Sequence, residues 1–260
     1  MIRDHIDGIV LYRFAGLRDV PGLVHGVLTR VGGVSRPPFA TLNLCRKDGE
    51  DPAAVSENLR RASQALGLEA SAFVRAWQVH GAHVDVVGWA DRGTVHPDTD
   101  GLATAVPGVP LLMCFGDCTP VLFFDPVRRA IGVAHAGWRG VVAGAVPSTV
   151  RAMVEQLGCN PADLWAGIGP AIGPCCYEVG PEVVAAVRAA CPPGSDLVRR
   201  VDGRTHLDLA GAVRAQLRAC GVGQIEEANL CTACHVDEFF SHRAENGHTG
   251  RFGVMMGLNT

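Results

Sequence analysis

The stretch Cys114–Gly140, CFGDCTPVLFFDPVRRAIGVAHAGWRG, constrains this chain more than any other. Two apolar runs, TPVLFF and AIGVA, flank a short polar turn, and a helix start follows at GWRG. Short apolar runs bounded by turns read as strands buried on both faces, so both belong inside a covered sheet. At their ends stand Asp117, Cys118, His135, Trp138 and Arg139, a set that a core does not need. Cys118 and His135 are too far apart in sequence for one helix face, but adjacent strands bring their ends side by side. A thiol beside an imidazole is either a pair of metal ligands or a nucleophile with its base.

The rest of the chain can support such a core. It has 260 residues, 48% of them hydrophobic, which excludes global disorder. A net charge of −3 argues against a nucleic-acid binder held by phosphate contacts. No run reaches the length of a membrane span. The start, MIRDHIDGIVLYRF, carries early acidic residues and no long apolar run, so a secretory leader is not expected. A cytoplasmic location follows, where the ten cysteines stay reduced and act as packing residues, ligands or reactive groups.

Along the chain, 8–13 and 22–29 read as strands, and the Gly/Pro-rich 30–42 as a loop. Asp51-Pro52 starts a helix that ends before Gly67. Two strands, 73–79 and 83–88, carry His80 at the turn between them, and 89–101 reads as a polar loop before a strand at 109–115. A single helix is expected over 139–157, a strand over 164–168, helices from Pro181 and after Asp208, a short strand over 225–230 and a final strand near 251–257. Strands and helices mix without strict alternation. One α/β (α+β) domain spanning 1–260, a layered sandwich of mixed sheets covered by helices, is the expected architecture.

His80, Cys118 and His135 would make a His₂Cys set from three strand ends. Three protein ligands leave a fourth position open, the pattern of catalytic zinc, whereas structural zinc sites take four. His83 competes with His80 but tends to point elsewhere. In the tail, Cys231-x-x-Cys234-His235 has the form of a haem attachment site, which needs an export route. A second zinc site would need another pair; Cys175 and Cys176 are adjacent and cannot both point one way along a strand. Small buried thiols are the favoured reading of all four. Arg243 and Arg251 flank HRAENGHTGR and suit an anion clamp. GIGPAIGP lacks both the P-loop and the dinucleotide spacing and reads as a tight turn.

QVHGAHV (78–84), DGLAT (100–104), GDCTPVLFFD (116–125), AHAGWRG (134–140), GIGPAIGPCCYEVG (167–180), and NLCT with FFSHR and GHTGR (229–251) together resemble the YfiH/laccase-domain family. That family is also called multicopper polyphenol oxidase or peptidoglycan editing factor. The likeness runs from Asn43 to Arg251 and implies a layered α/β sandwich. It implies zinc held by His80, Cys118 and His135, and phosphorolysis of purine nucleosides (adenosine, inosine, guanosine, methylthioadenosine), with adenosine deamination alongside. The expected catalytic set is His80, Cys118, His135 and Arg243, with Asn43, Gln78, Asp117, Arg139 and Arg251 around the substrate. Gly116 stands where many members have alanine, a small change expected to leave the site intact.

The expected partners are a purine nucleoside and inorganic phosphate, with no nucleic acid or membrane, in a monomer or small homo-oligomer. Three rivals remain at this point. Copper also suits His₂Cys, giving a polyphenol oxidase, although the paired HxH elements of cupredoxin oxidases are missing. A cysteine hydrolase editing peptidoglycan precursors would use Cys118 and His135 but leave His80 idle. A non-enzymatic binding module would not concentrate polar residues at strand ends.

Overall fold

The structure, a computed structural model, describes residues 1–259. In chain order its elements are β1 (Ile2–Ile6), β2 (Ile9–Arg13), β3 (Leu23–Leu28), α1 (Pro52–Leu66), β4 (Val74–Ala76), β5 (Val84–Val86), β6 (Val95–His96), β7 (Gly101–Thr104), β8 (Leu111–Phe115), β9 (Thr119–Asp125), β10 (Ala130–Ala136), α2 (Trp138–Ala143), α3 (Ala145–Leu157), β11 (Trp165–Ile168), α4 (Pro181–Ala189), β12 (Val198–Val201), β13 (Arg204–Leu207), α5 (Leu209–Ala219), β14 (Gln224–Glu227) and β15 (Phe252–Leu258).

Among these residues one sheet runs β1-β2-β3-β15-β8-β4-β6 and a second runs β14-β11-β9-β10-β7-β5, with β12 and β13 as a separate hairpin. Both sheets are mixed. Parallel pairs (β4 with β8 and β6, β11 with β14, β5 with β7) sit toward the edges, and antiparallel pairs fill the middle.

The two-residue period of the central strands sorts their side chains into layers. On β9, Leu122 and Phe124 point between the sheets with Ile131 and Val133 of β10, against Met113, Phe115, Phe252 and Val254 of the first sheet. Val121 and Phe123 point the other way, toward Val146, Val150 and Met153 of α3 and Val213 and Leu217 of α5. Outside the first sheet, α1 covers Leu11, Leu28, Leu112 and Met255 with Ala62, Ala65 and Leu66. The order is helix, sheet, sheet, helices. It bears out the expected layered sandwich and explains why β9 and β10 read as continuous apolar runs, since each is buried on both faces.

The helix signals behave as their chemistry requires. Asp51 accepts the Ala53 N–H at 2.9 Å at the start of α1, and Asp208 accepts the Gly211 N–H at 2.8 Å at the start of α5. Such caps each contribute about 1 kcal/mol.

Three expectations change, and three strands appear for which the sequence carried no expectation. The helix expected over 139–157 is two, broken at Gly144, which takes left-handed backbone at φ 85°. The segment 89–101 is not only loop: it holds β6 and leads directly into β7, whose four buried residues give too short a run to stand out. The hairpin β12–β13 and the edge strand β1 lie in half-exposed sequence with weak alternation. The strands around His80 do not form a hairpin. β4 belongs to the first sheet and β5 to the second, so His80 lies where the chain crosses between sheets. No helix among the described residues is long and apolar enough to cross a membrane.

Candidate metal centre

β9 and β10 pair antiparallel, with His135 opposite Pro120 and Ala136 opposite Thr119. This register places Cys118, just before β9, beside His135 near the end of β10. His80 arrives from the crossing segment, in left-handed backbone at φ 64°. One ligand atom from each of His80, Cys118 and His135 lies within 4.8 Å of the other two. The two imidazoles meet edge to face, with centroids 4.8 Å apart. The site grades outward from His135, which is buried, through half-buried Cys118 to exposed His80.

Asp100 organises this group, and sequence reasoning did not single it out. Its Oδ1 lies 2.8 Å from His135 Nδ1. It also accepts the backbone N–H groups of Val79 (3.1 Å), His80 (3.0 Å) and Gly81 (2.6 Å). Burial works against its charge, but these donors hold its carboxyl below the ordinary range. With Nδ1 turned to Asp100, His135 has Nε2 available for the centre, the carboxylate–histidine arrangement of metal sites.

Charge in the group is strongly coupled. Burial would raise the Cys118 thiol, but His135 and His80 outweigh it and bring it down to about 6. Burial would lower His135, but the Cys118 thiolate and Asp100 bring it up to about 9. Each of the two groups thus favours the charged form of the other.

The site opens into a cavity of about 570 Å³. Arg46, Arg139, Arg243 and Arg251 line it, together with Trp77, Trp138 and Tyr177. The Arg243 guanidinium sits 5.2 Å from the Tyr177 ring centroid and that of Arg139 4.4 Å from Trp138. Asp117 is buried at φ 90° and holds two loops in place. It accepts from Thr232 Oγ1 and from the Arg243 backbone N–H, each at 2.6 Å. Gln78 bridges to the Cys114 backbone through both ends of its amide, at 2.8 and 2.9 Å. A methyl on Gly116 would lie 2.9 Å from Arg251 Cδ, so glycine there leaves room for that side chain.

Asn43 is not brought to the cavity. It is fully buried; its amide donates to the Cys45 carbonyl and to Glu50, and its carbonyl accepts the Arg251 N–H at 2.9 Å. Its place is to fix the backbone that carries Arg251. His83 turns outward, with Nε2 3.2 Å from Asp85. A separate cavity of about 540 Å³ lies between β11 and α5; its Arg214 is already paired with Glu227 at 2.8 Å.

A mixed α/β sandwich with a His₂Cys cluster at the floor of an arginine-rimmed cavity is the class of protein defined here. The model of the family described as multi-copper polyphenol oxidoreductase laccase matches residues 24–259. The chain belongs to that family. It is 41% identical over 247 residues to the protein named purine nucleoside phosphorylase YlmD of Geobacillus stearothermophilus, covering 91% of this chain and 90% of the relative. It is 43% identical over 237 residues to a protein named purine nucleoside phosphorylase of Deinococcus radiodurans, covering 90% and 88%. The crystal structure of YlmD from Geobacillus stearothermophilus superposes with a TM-score of 0.92 at 38% identity, covering 99% of this chain and 98% of that one.

Proposed function

We propose that this protein is a zinc-dependent purine nucleoside phosphorylase, converting adenosine, inosine, guanosine or methylthioadenosine with phosphate to the base and ribose 1-phosphate. The observation that carries the reading is the juxtaposition of the His80–Cys118–His135 cluster with four arginines around one cavity. Relatives bearing the phosphorylase name support it.

The donor set fits zinc. Two imidazoles and one thiolate converge, His135 is oriented by Asp100, and solvent reaches the group from the His80 side. A zinc ion held there would supply Lewis acidity and a water ionising near neutral pH.

The chain's own residues account for the rest. Arg243, Arg251 and Arg139 hold phosphate by charge-assisted hydrogen bonds. Tyr177, Trp138 and Trp77 offer faces on which a purine stacks. Phosphorolysis breaks the bond from C1′ to the purine nitrogen and forms one from C1′ to a phosphate oxygen. The purine leaves with the electron pair and takes up the proton that the attacking phosphate gives up. Positioning of the two reactants lowers the barrier by removing the entropy of bringing them together. Adenosine deamination in the same cavity is part of this proposal and needs only water as co-substrate.

One observation favours a second reading. Cys118, His135 and Asp100 lie in the order of a nucleophile, its base and the base's orienting group. That reading leaves His80 idle. One paired experiment separates the readings: metal content of the purified protein, and hypoxanthine release from inosine with and without phosphate. Zinc near one equivalent at this centre and release strictly dependent on phosphate are expected, both lost in Cys118→Ala. Release indifferent to phosphate overturns the phosphorylase. Copper with phenol oxidation would instead define an oxidase, and metal-free hydrolysis a cysteine hydrolase.

A further inference from the structure

The tail and the turn after β11 hold four cysteines that the first centre does not use. Their expected reading as separate buried thiols is overturned. Cys175 and Cys176 lie in a turn, not a strand, so adjacent side chains can converge. One sulfur from each of Cys175, Cys176, Cys231 and Cys234 lies within 4.8 Å of the other three. Cys175 and Cys234 are exposed and the other two half-buried.

We propose that Cys175, Cys176, Cys231 and Cys234 form a second metal site, a closed structural Cys₄ zinc centre that clamps the turn after β11 to the tail.

The spacings separate metal from disulfide. Cys234 Sγ is 3.5 Å from Cys175 Sγ and 3.4 Å from Cys176 Sγ. A disulfide needs about 2.05 Å. A tetrahedron with zinc–sulfur bonds of about 2.3 Å has sulfur–sulfur edges of about 3.8 Å. Both spacings lie within about 0.4 Å of that edge length, no pair in the cluster is more than 4.8 Å apart, and Cys234 is nearly equidistant from two partners, which a disulfide cannot serve. Four sulfur donors select zinc or iron–sulfur chemistry over harder cations.

The surroundings are those of a thiolate centre. Gly173 donates its N–H to Cys231 Sγ at 3.2 Å. A methyl on Gly173 would press to 3.2 Å from Cys175 Sγ and 3.4 Å from Cys231 Sγ, so the turn closes on the sulfurs at a glycine. Cys234 N–H and His235 N–H both donate to the Cys231 carbonyl, at 3.2 Å each, folding Cys-x-x-Cys into a knuckle. Each thiol that binds gives its proton to solvent, and no electrons move.

The placement gives the site a purpose. Thr232, between the two tail cysteines, donates to Asp117, and Tyr177, next to Cys176, lines the cavity of the first centre beneath Arg243. The clamp holds both walls in register without touching the reaction.

The test counts zinc in the full-length protein purified under reducing conditions, and maps which cysteines a chelator exposes to alkylation by mass spectrometry. Two zinc equivalents per chain are expected. Cys118→Ser should remove one and Cys231→Ser the other, so failure of either centre is read apart from the other. Cobalt substitution of Cys118→Ser should give the absorption of a tetrahedral sulfur-only site. If Cys231→Ser does not fold, the wild-type count and alkylation map still decide. One equivalent removed by Cys118→Ser, with Cys175, Cys176, Cys231 and Cys234 alkylated before chelation, overturns the site. A disulfide among these four, or iron bound there, overturns it equally.

Discussion

Asp100 holds His135 through a 2.8 Å contact from Oδ1 to Nδ1, and the same carboxylate gathers the backbone of Val79, His80 and Gly81. One buried side chain thus orients both imidazoles, one through its ring and the other through its main chain. Asp100→Asn keeps the size but turns an N–H₂ group toward donors. Loss of such an outer-shell partner typically costs about 10–100-fold in metal affinity. Chelator competition on the zinc-loaded protein measures it. Affinity unchanged from wild type would remove Asp100 from the centre.

Asp100 also shows where the sequence ceases to be legible. It stands at the head of DGLAT, beside a loop rich in polar residues, and nothing in its spacing points to His135. The contact depends on β7 pairing with β10, with Gly101 opposite Ala134. Strand order cannot be read from one sequence. His80, Cys118 and His135 were legible because each ends an apolar run with a residue type that a core rejects. Arg243 and Arg251 were legible as charge in a Gly-rich loop. Asn43 was misplaced because a buried amide satisfied entirely by backbone and Glu50 looks, in sequence, like one offered to a ligand. The four outlying cysteines were misjudged by treating 175–176 as strand; in a turn, adjacent side chains need not diverge.

A pH effect on stability is expected from His25. It is buried in β3, and its Nε2 accepts the Phe14 N–H at 2.9 Å, which requires the neutral ring. Burial, assisted by Arg13, lowers it to about 4. Between that value and about 6.5 the unfolded chain binds the proton and the folded chain does not, so stability falls as pH falls. The loss begins below pH about 6.5 and reaches roughly 3 kcal/mol by pH about 4. Urea unfolding from pH 7 to 4 checks it. His25→Gln, which keeps an acceptor without titrating, should flatten that part of the acid limb; an unchanged slope would exonerate His25.

Arg243 is tethered by its backbone N–H to Asp117, so its side chain can be altered with the loop in place. Arg243→Met removes the charge and keeps much of the stem. A hydrogen bond to a charged group contributes about 1.5–3 kcal/mol, or roughly 10–100-fold in binding. The KM for phosphate should rise by that factor while the KM for inosine stays within about threefold. Initial-rate kinetics with each substrate varied separates the two. A rise confined to inosine would move Arg243 from the phosphate to the nucleoside.

Gly137 lies between the two ligand-bearing segments. A methyl built on it would sit 2.7 Å from Cys118 Sγ and 3.2 Å from His80 Cδ2. Its backbone, at φ −76° and ψ 175°, is open to any residue, so alanine brings no main-chain strain. The only cost of Gly137→Ala is the collision with the sulfur and the ring. Relief must come from the Cys118 side chain, because Gly137 is fixed at the junction of β10 and α2. Rotating Sγ away undoes the convergence with His135 and His80. The metal-free variant should therefore lose no more than about 1–3 kcal/mol against metal-free wild type, the range of overpacking changes. Its zinc at the His80–Cys118–His135 centre should be lost on gel filtration. Thermal denaturation with and without chelator, read beside metal content, tests this. A variant that retains that zinc with wild-type affinity would show that the thiolate does not need the space the glycine leaves.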